Sequence, residues 1–93
     1  LLIIDMLNDF VNPDGVLYCG ERARKIIPYI IELTNTKRKN GAVIIYLADN
    51  HAPDDKEFQR FPPHCLKGTK GAEVVSELKP APQDYIVPKQ RFS

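Results

Sequence analysis

Apolar positions in this chain fall into short unbroken runs and one longer periodic stretch. Leu1 to Ile4 is an unbroken run closed by Asp5, which predicts a strand buried on both faces. Ala42 to Leu47 repeats that pattern and ends at Ala48-Asp49. Between the two runs, Ala23, Ile26, Ile27, Ile30 and Leu33 recur at the spacing of one helix face, predicting a helix over Glu21 to Lys39. Lys37, Arg38 and Lys39 sit where they oppose the negative end of its dipole, and Asn40-Gly41 stops it. Pro28 lies inside the stretch, so its first turn is expected to be separate or kinked.

The polar segments complete the order of elements. Asn12-Pro13-Asp14-Gly15 is a turn, because Pro fixes φ and Gly accepts a positive one. Asn50 to Lys70 holds both histidines and several Pro and Gly residues, and reads as a loop of about twenty residues. Loops of that length in compact domains are commonly functional. Gly71 to Leu78 is predicted as a short helix broken by Lys79-Pro80-Ala81-Pro82, and Tyr85-Ile86-Val87 as a third strand before Pro88-Lys89. Apolar strands joined by helical crossovers indicate an α/β fold, a parallel sheet in three layers with helices on both faces. Three strands are few for such a sheet, and its edge calls for more.

Length and composition narrow the reading. The 93 residues suffice for one domain, with 43% hydrophobic and 27% charged residues as in soluble globular folds. A net charge of +1 gives no electrostatic case for nucleic acid or an anionic membrane. No apolar run approaches a membrane span and no secretory signal is visible, so a cytoplasmic protein is expected. Cys19 and Cys65 do not make a disulfide framework and are expected to be reduced thiols. The chain opens on a strand without an initiating Met and closes without a terminal helix, so both ends look cut.

Candidate chemistry collects at strand ends. Ligands of open parallel sheets bind beyond the carboxyl ends of the strands, where Asp5, Asp49 and Lys89 fall. Asp49 and His51 are spaced i, i+2, so in an extended segment their side chains share a direction, and His64 follows across the loop. One carboxylate and two imidazoles suit Zn²⁺, Fe²⁺ or Mn²⁺, with positions left for water or substrate.

Four blocks in order resemble the isochorismatase-like cysteine hydrolase superfamily. They are Leu2 to Phe10 (Leu-Ile-Ile-Asp-Met-Leu-Asn-Asp-Phe), Asp49-Asn50-His51, Phe61-Pro62-Pro63-His64-Cys65 with Gly68-Thr69 and Gly71-Ala72-Glu73, and Lys89-Gln90-Arg91-Phe92-Ser93. The resemblance implies that residues 1–93 are the N-terminal half of a single hydrolase domain. It implies an Asp-Lys-Cys triad in which Asp5 takes the thiol proton and Lys89 steadies the thiolate, in keeping with the effect of an ammonium on a thiol pKa. The nucleophilic cysteine lies downstream of the lysine in that family and is not among these residues. Cys65 is implied to be a structural neighbour of His64.

Asp49, His51 and His64 match the metal ligands of metal-binding nicotinamidases, with Zn the implied ion and Fe or Mn as alternatives. Phe10 and Phe61 match positions where those enzymes present aromatic rings to substrate, although Trp is the commoner residue at the second. Isochorismatases proper lack this metal set. The resemblance therefore implies hydrolysis of a small amide by a full-length homo-oligomer, with these 93 residues alone inactive. The alternatives are an inactive metal-binding fragment and an ether hydrolase of the isochorismatase type.

Overall fold

A computed structural model describes residues 1–92; the expectation for Ser93 lies outside the described residues. Strand β1 (Leu2–Ile4) is followed by a short helix α1 (Asn8–Val11), then α2 (Glu21–Lys25), α3 (Ile27–Lys39), β2 (Ile45–Asp49) and β3 (Tyr85–Lys89). The strands form one parallel sheet in the order β1-β2-β3. The predicted long helix is divided at Ile26, and Pro28 occupies the first turn of α3, where its missing N–H leaves no bond unmade. Its buried stripe is Ile27 and Thr34 with Ile30 and Ile31 beside them, whereas Ile26 is exposed at the joint.

One face of the sheet carries the core. Ile3, Ile44 and Tyr46 point to it and pack with Met6, Val11, Ile27, Val75 and Leu78. Tyr46 donates a buried hydrogen bond of 2.9 Å from its hydroxyl to the Leu78 carbonyl, tying β2 to the turn at Ser76–Leu78. Tyr46→Phe would strand that carbonyl, and urea unfolding should record a loss of about 1 kcal/mol.

Three expectations are corrected. Leu2 and Ile4 were expected to be buried, yet each is more than half exposed. They share the second sheet face with Val43, Tyr85 and Val87, which nothing among the described residues covers. Strand β2 begins at Ile45 rather than Ala42.

Residues 71–78 do not form a helix. Two 3-10 turns, Lys70–Ala72 and Ser76–Leu78, flank an extended segment. In that segment Val74 bridges Leu7 and the Val75 N–H donates to Met6. Adjacent β-branched residues paired with the chain after β1 outweigh the local helix pattern.

Register brings the strand ends together. Asp49 is the register partner of Lys89, and Ile4, partnered with Leu47, leads directly into Asp5. Pro88 is accommodated within β3 because that strand lies at the sheet's edge. No helix among the described residues is long and apolar enough to cross a membrane.

Candidate functional site

Asp5 leaves β1 with φ of 57°, a left-handed conformation uncommon outside glycine but tolerated by Asp and Asn. Its Oδ1 accepts the Asp49 N–H at 3.1 Å and its Oδ2 lies 3.1 Å from Lys89 Nζ. Lys89 Nζ also donates to Asp49 Oδ1 at 2.5 Å. Burial pushes the Lys89 ammonium down, but its bonds to Asp49 and Asp5 outweigh this and hold its pKa above the ordinary lysine value. The lysine is therefore a fixed positive charge at neutral pH.

Asp49 has two sides. Oδ1 faces Lys89, while Oδ2 lies 3.3 Å from His51 Nε2 and 3.9 Å from His64 Nε2. Asp49, His51 and His64 are all buried, and they form a group able to hold a metal ion.

The tautomers follow from the partners. His64 Nδ1 meets the Pro62 carbonyl at 2.7 Å, an acceptor only, so Nδ1 carries the proton and Nε2 keeps its lone pair. His51 Nδ1 donates to Asp55 Oδ2 at 2.9 Å. Its Nε2 then faces Asp49 Oδ2 and, at 3.2 Å, Glu57 Oε2, both acceptors. Three sets of lone pairs meeting there require a proton or a cation between them. Ring N–H groups held by a carboxylate or a backbone carbonyl are the usual support of metal-binding histidines. The donor set fits a borderline divalent ion such as Zn²⁺.

Burial lowers the His51 pKa and the carboxylates of Asp55 and Asp49 raise it, with a net rise above the usual imidazole value. Asp55 is held below the usual carboxylate range, first by the Glu57 N–H and then by His51. Four carboxylates, Asp5, Asp49, Asp55 and Glu57, thus gather about the single ammonium of Lys89 and two imidazoles.

Aromatic rings wall the imidazoles. Phe10 lies 5.6 Å and Phe61 6.1 Å from the His64 ring, centroid to centroid, while Phe58 stands 5.5 Å from each histidine. A cavity of about 270 Å³ opens beside them, lined by Asp5, Phe10, Asp49, Glu57, Phe61 and His64 among others, and mostly apolar in its surface. Of the residues singled out in the sequence, Asp5, Asp49, His64, Phe10 and Phe61 line this cavity, while Lys89 and His51 stand behind it against the two oxygens of Asp49.

Three participants escaped the sequence reading: Asp55, Glu57 and Phe58. Asp55 could have been found, since it stands four residues after His51 and caps the turn Lys56–Gln59 through the Glu57 N–H. Glu57 and Phe58 reach the histidines only because that turn folds over them, which no spacing announces. The two cysteines stand apart in character: Cys19 is exposed, and Cys65 is fully buried. Burial first, then the carboxylates of Asp9, Asp49 and Asp5, push the Cys65 thiol far above its ordinary pKa. A thiol so held is a poor nucleophile.

The Isochorismatase domain family matches the chain over residues 1–93. An uncharacterized isochorismatase family protein, PncA of Bacillus subtilis (strain 168), is 38% identical over 103 aligned positions, covering 100% of this chain and 56% of that protein. The crystal structure of nicotinamidase PncA from Bacillus subtilis superposes with a TM-score of 0.89 at 36% identity, covering 99% of this chain and 55% of that one. The pyrazinamidase of Pyrococcus horikoshii, solved in complex with zinc, gives 0.85 at 31% identity over 96% of this chain and 50% of its own. The chain spans about half the length of the curated relatives it matches.

Proposed function

The chain belongs to the isochorismatase family, and from that premise we propose that it carries the aspartate, the lysine and the divalent-cation site of a cysteine hydrolase acting on a small amide. The observation that carries the reading is Asp49, which turns one oxygen to Lys89 and the other to His51 and His64. A cation and an acid–base pair would then act on one bound molecule.

Asp49, His51 and His64 would hold the ion, and zinc is the ion proposed. The bound ion would supply an anchor for a substrate heteroatom or for water. Phe10 and Phe61 would flank a planar ring in the apolar cavity, which favours a heteroaromatic carboxamide of the nicotinamide type. Lys89 would stabilise a cysteine thiolate by its fixed charge. Asp5 would take the thiol proton and pass it to the departing ammonia, then take a proton from water as the acyl-thioester is hydrolysed.

Cys65 is too deeply buried for the nucleophile's part, and the resemblance places that thiol after the lysine, so it is proposed to come from outside these residues, and the 93 residues alone are proposed to be inactive. The test is ammonia release from nicotinamide and pyrazinamide by the full-length protein. Turnover that disappears in Lys89→Ala supports the reading, and turnover unaffected by it contradicts it. A second reading, cation binding without catalysis, is favoured by the completeness of the ligand set. Stoichiometric zinc with no ammonia from any small amide would select it.

A further inference from the structure

Asp9 is half-buried, lies on α1 one residue before Phe10, and touches neither the cavity nor the ligand atoms. Its Oδ2 accepts the Cys65 N–H at 2.7 Å, and Oδ1 lies 3.5 Å from the Val16 N–H. The Cys65 N–H belongs to the peptide plane that begins at His64, so the carboxylate holds the backbone of His64 itself. Cys65 has φ of 46°, a left-handed conformation that a β-carbon disfavours. A charge-assisted hydrogen bond at its N–H offsets that cost.

The same short segment is tied to the other imidazole. The Cys65 carbonyl accepts the His51 N–H at 2.9 Å, and the His51 carbonyl accepts the Lys67 N–H at 2.9 Å. Both histidines therefore hang on a strip of chain fixed to α1 at Cys65. Neighbouring bonds reinforce the clasp: Asn8 Nδ2 donates to the Lys70 carbonyl at 2.7 Å, and the Asn8 N–H to Glu73 at 2.9 Å.

Gly71 shows that the carboxylate's place is reserved. A β-carbon built at Gly71 collides with Asp9 Oδ1, Oδ2 and Cγ. Its conformation is not left-handed, so a side chain there would meet no backbone strain and would have to displace the Asp9 carboxylate.

We infer that Asp9 is a positioning residue that sets His64 for cation binding, and that Gly71 is a glycine because the Asp9 carboxylate fills the space of its side chain. The inference rests on the cation reading of Asp49, His51 and His64.

The experiment compares zinc affinity, by competition with a chromophoric chelator, and the visible spectrum of the cobalt(II) form. The proteins are wild type, Asp9→Ala, Asp9→Asn, Gly71→Ala and Asp14→Ala. Asp9→Ala and Gly71→Ala should each weaken zinc by about 10- to 100-fold, the usual cost of losing an outer-shell partner, and alter the cobalt spectrum alike. Asp9→Asn keeps an acceptor oxygen and should lose less. Asp14→Ala, exposed in the adjacent turn, should match wild type.

Folded Asp9→Ala and Gly71→Ala proteins with wild-type affinity and spectrum overturn the inference. If Asp9→Ala does not fold, Asp9→Asn and Gly71→Ala decide by the same measures. A wild type that binds no zinc sinks the cation reading instead. Asp9 is then judged by NMR: the Cys65 amide should move upfield and the His64 ring signals shift in Asp9→Asn, and unmoved signals overturn it.

Discussion

Asp49→Ala is expected to abolish stoichiometric zinc binding and to destabilise the protein at the same time. One oxygen of this carboxylate faces both imidazoles and the other holds Lys89 at 2.5 Å, so a single substitution removes a ligand and an ion-pair partner. Removing a ligand should cost more than the ~10- to 100-fold attached to outer-shell partners. The ammonium that remains is largely buried, with 16% of its side chain exposed, and keeps Asp5 as its carboxylate partner beside the carbonyls of Arg91 and Phe92. Breaking a buried pair from one side costs about 3–5 kcal/mol, and the surviving Asp5 contact places this case near the lower end. Calorimetry of zinc binding and urea unfolding read the two effects. Zinc affinity within tenfold of wild type would remove Asp49 from the cation site.

Asp5→Asn separates chemistry from structure. Asn tolerates the left-handed backbone at φ 57° and can still offer an oxygen to the Asp49 N–H, so the fold and zinc affinity should be kept. What is lost is the proton acceptor. Ammonia release by the full-length protein should fall by about 10²- to 10⁴-fold, the range for removing a general base. Turnover within tenfold of wild type would assign the proton transfer to another group.

The carboxyl-end residues were legible because the pattern itself marks them. An unbroken apolar run ends where the chain leaves a sheet, and Asp5, Asp49 and Lys89 each follow such a run. In a parallel sheet all three must then lie on one edge, and the Asp49–Lys89 register made that edge a contact. Pro28 likewise announced the division between α2 and α3.

What the pattern could not show was set by tertiary pairing. Whether Leu2 and Ile4 are covered depends on what lies over their face, and an apolar run looks the same either way. The stretch from Gly71 to Leu78 has helix-compatible spacing, yet Val74 and Val75 pair with the chain after β1. Asp9 falls within the first motif, but its role depends on a backbone N–H 56 residues away, which no local pattern marks. Glu57 and Phe58 reach the histidines through a 3-10 turn whose direction is fixed by Asp55 bonding to both Glu57 and His51.

Anomalous diffraction at the zinc absorption edge, from crystals of the zinc-loaded protein, tests most directly whether imidazoles and carboxylate from separate segments share one ion. The expected result is a single peak about 2.0–2.2 Å from Asp49 Oδ2, His51 Nε2 and His64 Nε2. A peak bound elsewhere on the protein, or none at full zinc loading, would contradict it.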